Sequence, residues 1–310
     1  MRLWQYETPD GRLIDLSGGL GVDELGVTGA LMPTFEVLTD DVPSDSGQII
    51  REVQPRARQL SVPVVVQDPT GHDSGASFDE RVDQLIADLN PALGPGRLIA
   101  TRLDDRGEPL YAIDDTGTST VRARATRCVY SGGIDAASSS FGDQYGGWWQ
   151  VFALTFLAAD PYWHSLRPRT RVFRTTPPVD WFPNPGWQLG EESLLGATVE
   201  VNDGQALAYP VITVNTPGTA LLARNDTTGE AWAVDTTGAG GQPVTVDTRP
   251  SWLEGGLPVS RADGTNLYEF LDGPLWALRP GRNDLTLEVP GGSPGLTSLV
   301  LSYERRYLSA

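Results

Sequence analysis

The chain has 310 residues, enough for two domains of ordinary size or one large β domain. All 23 of its basic residues are arginine, so it can hold neither a G-x-x-x-x-G-K-[ST] phosphate-binding loop, nor a kinase strand lysine, nor a Schiff base, each of which needs an amine. Forty acidic residues bring the net charge to -17, which argues against affinity for nucleic acid or anionic lipid, and a single cysteine, Cys128, removes disulfide frameworks and cysteine-rich zinc sites.

Residues Met1–Asp10 contain no apolar leader-like run. The longest apolar stretch, Val151–Ala159, is far short of the roughly 20 residues that span a bilayer. A soluble protein made in a cytoplasm, with no membrane insertion, is expected. With 35 glycines and 24 prolines, turns come too often for long helices, and a mainly β fold follows. Gln59–Gln67 reads as a strand. Ser77 followed by Glu80 has the pattern of a helix start, and Phe78, Val82, Leu85, Ile86 and Leu89 then share a face until Asn90-Pro91. This predicts one amphipathic helix over about 77–90, lying on a sheet. Arg97–Leu103, Leu110–Ile113, Val121–Tyr130 and Trp148–Leu157 follow as strands, with Cys128 a small residue inside the third of these four. Residues 1–165 thus form an α+β domain. The glycine- and serine-rich stretch Ser131–Gly147 is expected to be a mobile arm, ordered only by a neighbour.

Residues 166–196 carry Arg-Pro-Arg-Thr-Arg and then Pro177, Pro178, Pro183 and Pro185, and read as a stiff linker. From 197 to 310 short alternating runs recur between turns: Ala197–Val201, Tyr209–Val214, Ala220–Ala223, Ala231–Val234, Val244–Thr248, Leu285–Val289 and Leu299–Tyr303. That rhythm indicates a β-sandwich.

The chemistry is sparse. Gly71-His-Asp-Ser-Gly75 echoes the surroundings of a protease serine, but the histidine interrupts the order, and a triad would have to use His72 or His164, the only two histidines. A polar turn accounts for it better. The acidic clusters Asp104-Asp105, Asp114-Asp115 and Asp73 to Asp79 lack EF-hand spacing, and adjacent carboxylates in turns do not set up glycoside hydrolysis. No catalytic, cofactor or metal site is expected. The nine tryptophans are the better clue, as core, interface anchors or sugar platforms.

The order of turns in the second half carries a resemblance. Val199-Glu-Val-Asn-Asp-Gly204, Tyr209-Pro-Val-Ile-Thr-Val214, Asn225-Asp-Thr-Thr-Gly229, Val244-Thr-Val-Asp-Thr248 and Trp276-Ala-Leu-Arg-Pro-Gly-Arg-Asn-Asp284 resemble the distal tail proteins of long-tailed phages. Arg58-Gln-Leu-Ser-Val-Pro-Val64 before the helix and Phe156-Leu-Ala-Ala-Asp-Pro-Tyr-Trp163 are similar to that family's first half. The resemblance implies a non-enzymatic virion protein of the tail tip, assembled in the host cytoplasm. Its amino-terminal domains would close into a homo-hexameric ring between the tail tube protein above and the tip or baseplate hub protein below. Galectin-like carboxy-terminal sandwiches would project outward.

A ring that passes DNA gains from a wall that does not hold phosphates, which suits the acid excess. Asp104, Asp105, Asp114 and Asp115 are the channel-lining candidates. The alternative is a carbohydrate-binding module contacting the host surface, for which Trp181, Trp187, Trp232, Trp252 and Trp276 would stack on sugar; a glycoside hydrolase ranks behind both. Galectin sugar sites use a histidine, and Ser165–Ala310 contains none.

Overall fold

A computed structural model describes residues 2–17, 26–42, 46–67, 75–113, 119–134, 140–143, 148–174, 179–180, 188–189, 194–253, 255–293 and 295–310. The fold is mainly β, with antiparallel sheets throughout. It divides into two compact units, Met1–Leu166 with Tyr307–Ala310, and Arg167–Arg306. The second unit is therefore an insertion in the first.

The main sheet of the first unit runs in the order Ser140–Asp143, Trp148–Ala158, Ala123–Gly132, Gly96–Arg102, Arg2–Glu7, Leu13–Asp15. Strand Arg58–Gln67 pairs along nearly the whole of Trp148–Ala158. Alternation sorts the side chains: Trp4 and Tyr6, Leu60, Val62 and Val64, and Phe152, Leu154 and Phe156 all turn into one core. Trp4 meets Trp163 edge to face, with ring centroids 5.9 Å apart. Cys128 is buried there as expected, and burial pushes its thiol up to about 12, so it stays an inert, protonated core residue.

The helix spans Gly75–Asp88, starting two residues before Ser77, so Ser77 is inside it rather than capping it. Phe78, Leu85 and Leu89 are buried and Val82 packs on the same cluster. Ile86 is exposed instead, because it sits about 70° round the helix from the centre of that stripe. Asn90 then accepts the Ala92 N–H and opens a short 3-10 turn, Pro91–Leu93.

Two parts of the stretch predicted as an arm are tied to their own chain. Ser140–Asp143 pairs with Trp148–Val151. Gly133, at φ +111°, lies so close to the opposite strand that a Cβ would fall 1.9 Å from the Ala153 carbonyl oxygen. Residues 135–139 and 144–147 of that stretch are outside the described residues.

The second unit is a sandwich of two five-stranded sheets. One runs Arg169–Arg174, Ser298–Tyr303, Val211–Asn215, Val244–Asp247, Val259–Arg261; the other runs Leu194–Asn202, Gly281–Glu288, Ala220–Asn225, Glu230–Asp235, Leu271–Asp272. Ile212, Val246 and Leu301 from the first face Leu221, Val234 and Leu287 from the second in one core. Arg169–Arg174, read from the sequence as linker, is instead an edge strand paired residue by residue with Ser298–Tyr303. Its alternation was masked by charge: Phe173 packs on the core, while Arg169 and Arg171 reach a buried acid, Glu200.

Candidate assembly surfaces

The residues that carry the family resemblance turn out to close turns. Buried Asn202 accepts the Gly204 N–H and donates to the carbonyls of Ala206 and Leu278. Asn225 accepts from the Thr227 N–H, and Gly229 completes that hairpin at φ +76°. Buried Asn283 accepts the Arg279 N–H and donates to the carbonyls of Arg279 and Gly281. Each replaces a missing main-chain partner at a tight reversal, which is why asparagine recurs there.

Asp247 does the same with a charge. Its carboxylate takes the Arg249 guanidinium in a two-point bond, at 2.9 and 2.7 Å, and accepts the main-chain N–H groups of Arg249 and Gly256. Burial works to raise its pKa, but these four donors outweigh it and hold the carboxyl below the ordinary value. A lowered folded pKa means stability that is present above the unfolded value and is lost as pH falls through the folded one. Asp247→Asn is therefore expected to cost about 2 kcal/mol at pH 7, and the gap to wild type should close below about pH 4. Thermal denaturation from pH 7 to pH 3 measures it; a gap that stays constant with pH would refute the assignment.

The first unit has a different kind of surface. Phe35–Asp41 and Gln48–Pro55 form a two-stranded ribbon that pairs with no other strand among the described residues. The register places Phe35, Val37 and Thr39 opposite Pro55, Val53 and Ile50 on one face. Val37, Val53 and Ile50 are 49%, 51% and 64% exposed. The opposite face carries the ion pairs Arg56–Glu36 and Arg51–Asp40. Leu31 and Met32, just before the ribbon, are exposed as well. Isolated two-stranded ribbons are marginal in water, and a contiguous exposed apolar face marks a contact surface.

A third feature is a buried arginine. Arg58 donates from Nε to the Pro161 carbonyl at 2.8 Å, and from its two Nη atoms to the carbonyls of Gly29, Leu31 and Leu308, each at 2.7 Å. Its guanidinium also lies 5.8 Å from the Trp163 ring centroid. In the sequence Arg58 stands only as the first residue of the Arg58–Val64 segment that carries the resemblance, just outside the strand expected at Gln59–Gln67.

Of the proposed channel residues, Asp104 is committed to a turn, accepting the N–H groups of Arg106 and Glu108, and Asp105 beside it is exposed. Asp114 and Asp115 are outside the described residues, as are Trp181, Trp187, His72 and the run from Gly71 to Ser74. Trp232 and Trp276 are 3% and 1% exposed, so as sugar platforms they are corrected: both indoles are in the sandwich core, their ring centroids 6.2 Å apart. Trp276 donates its N–H to the Ala223 carbonyl. Trp252 is exposed. A groove of about 340 Å³ opens on the second sheet, lined by Leu222, Arg224, Ala231, Trp232, Asp272 and Glu288 among others. His164 contacts the Asp160 carboxylate at 2.6 Å within its own corner. Among the described residues no cluster of three His, Cys, Asp or Glu could hold a metal, and no helix is long and apolar enough to cross a membrane.

No family model and no curated protein matches the chain. Among solved structures, the crystal structure of the SPP1 Dit protein (gp 19.1), described as a paradigm of the hub adsorption apparatus in phages infecting Gram-positive hosts, aligns over 98% of this chain and 99% of that one. The TM-score is 0.58 at 15% identity. The phage P2 baseplate in its activated conformation with Ca aligns over 98% of both chains, with a TM-score of 0.46 at 10% identity. The likeness to SPP1 Dit shows a shared fold through both units.

Proposed function

We propose that this chain is a structural protein of a phage tail, a distal hub whose first units close into a homo-hexameric ring. The ring joins the tail tube above to the baseplate or tip below and lets DNA pass. The observation that carries the reading is the end-to-end correspondence with the SPP1 Dit hub fold, over 98% of this chain and 99% of that one. Fold alone fixes no function, so the reading leans on two further features. The -17 net charge, with no lysine, suits a wall that DNA slides past without binding. The ribbon supplies an exposed apolar face on the ring-forming unit, and head-to-tail contacts between identical units close into rings.

Mass determination and negative-stain electron microscopy of the purified protein test this. Six copies of a 33.4 kDa chain give a particle of roughly 200 kDa with an axial hole. Replacing Ile50 and Val53 together by Asp, on the exposed ribbon face, is expected to weaken self-association by about 100-fold or more while leaving the monomer folded. A monomeric wild type at tens of micromolar, with no ring in the presence of tube protein, would overturn the hub reading. Full association of the double variant would remove the ribbon from it.

A further inference from the structure

The chain leaves its first unit after Leu166, builds the sandwich, and returns at Tyr307. Tyr307–Ala310 therefore belongs to the first unit although it follows the whole of the second in the chain. Four arginine side chains, from four separate strands of the first unit, then take hold of the returning main chain. Arg58 donates to the Leu308 carbonyl at 2.7 Å, Arg124 to that of Ser309, and Arg2 and Arg102 to that of Ala310 at 3.0 and 3.3 Å. The Arg124 guanidinium also lies 3.8 Å from the Tyr307 ring centroid. The Ala310 N–H donates to the Ala30 carbonyl, and its side chain is buried in the first unit's core.

All four donors precede the sandwich in the chain, and all of these acceptors follow it. Until residues 307–310 arrive, the first unit lacks one charge-assisted bond from each of these four guanidinium groups and part of its core, a deficit that is large where the groups are buried. We infer that Tyr307–Ala310 is a clasp, which keeps the first unit loose until the sandwich has been made and so ties that unit's competence to self-associate to the arrival of residues 307–310. What the unit assembles into rests on the hub reading; the clasp itself does not.

Hydrogen exchange read by mass spectrometry, alongside particle mass, tests it on the full chain, on a chain ending at Arg306, and on full-length Arg124→Ala. Ending at Arg306 should speed exchange in Arg58–Gln67 and Gly96–Arg102 by about 100-fold and abolish self-association, and Arg124→Ala should speed exchange there by about tenfold. Val211–Asn215 and Ala220–Asn225 in the sandwich should keep wild-type protection in both. Unchanged protection of the first unit in both variants overturns the clasp. If the shortened chain fails to fold throughout, Arg124→Ala decides: a loss confined to the first unit supports the clasp, and a uniform loss or none overturns it. A full chain that never associates, yet shows the selective exchange pattern, ends the hub reading and leaves the clasp standing.

Discussion

Arg58→Met should destabilise the first unit by about 4 kcal/mol, which is large for one residue. Methionine fills much of the same volume, so the loss isolates the hydrogen bonds. Arg58 is 2% exposed, and its five N–H donors serve four main-chain carbonyls belonging to Pro161, Gly29, Leu31 and Leu308. Removing it strands those acceptors in a site shaped to exclude water. Lysine, with one compact ammonium, cannot span them, so Arg58→Lys should recover less than half of the difference. Burial pushes the Arg58 pKa down to about 10, with Asp160 opposing, so the group keeps its proton in both folded and unfolded chains at neutral pH. The difference should then be flat from about pH 6 to pH 9, unlike that of Asp247→Asn, because no proton is exchanged on unfolding in that range. Urea denaturation followed by tryptophan fluorescence, which senses Trp4 and Trp163 in this core, measures it. A loss below about 1 kcal/mol would show that water or a relaxed main chain satisfies those carbonyls.

How much of this was legible in the sequence depends on how local the cause is. Strands such as Arg58–Gln67 and Trp148–Ala158 announce themselves because alternation along the chain is what packs them. The turn residues Asn225 and Asn283 are equally local, each bonding main-chain groups within a few residues, whereas Asn202 joins its own turn to the distant Leu278 carbonyl. Trp232 was readable too, since it shares a strand face with Val234 and period two sends both into the core. The ribbon was not, because Phe35–Asp41 and Gln48–Pro55 mix charged and apolar residues, and a bulge at Leu38/Thr39 breaks the alternation. Arg58 was least legible: its acceptors at Pro161 and Leu308 are 103 and 250 positions away. Nothing near Arg58 in the chain signals them.

The sandwich has its own long-range lock, and Glu200→Ala is expected to cost the second unit about 4 kcal/mol. Glu200 is fully buried, on the edge strand Leu194–Asn202 of one sheet. Arg171 Nε approaches one of its carboxylate oxygens at 2.7 Å and Arg169 Nε the other at 3.3 Å, both from the edge strand of the opposite sheet. The Tyr303 hydroxyl donates to it at 3.3 Å and stays a donor at any ordinary pH, since burial above all raises its pKa. The cluster thus bridges the two sheets along one seam, between strands that, among the described residues, are the edges of their sheets. Cutting the acid takes away the carboxylate that both guanidinium groups approach, which costs more than the intact cluster contributes. Replacing all three charges with apolar residues of similar volume (Glu200→Leu, Arg169→Met and Arg171→Met) should therefore recover most of the stability that Glu200→Ala loses. Hydrogen exchange in Val211–Asn215 and Ser298–Tyr303 reports on this unit separately from the first. If the triple variant is as unstable as Glu200→Ala, the seam is held by the geometry of the ion cluster itself, and apolar packing cannot replace it.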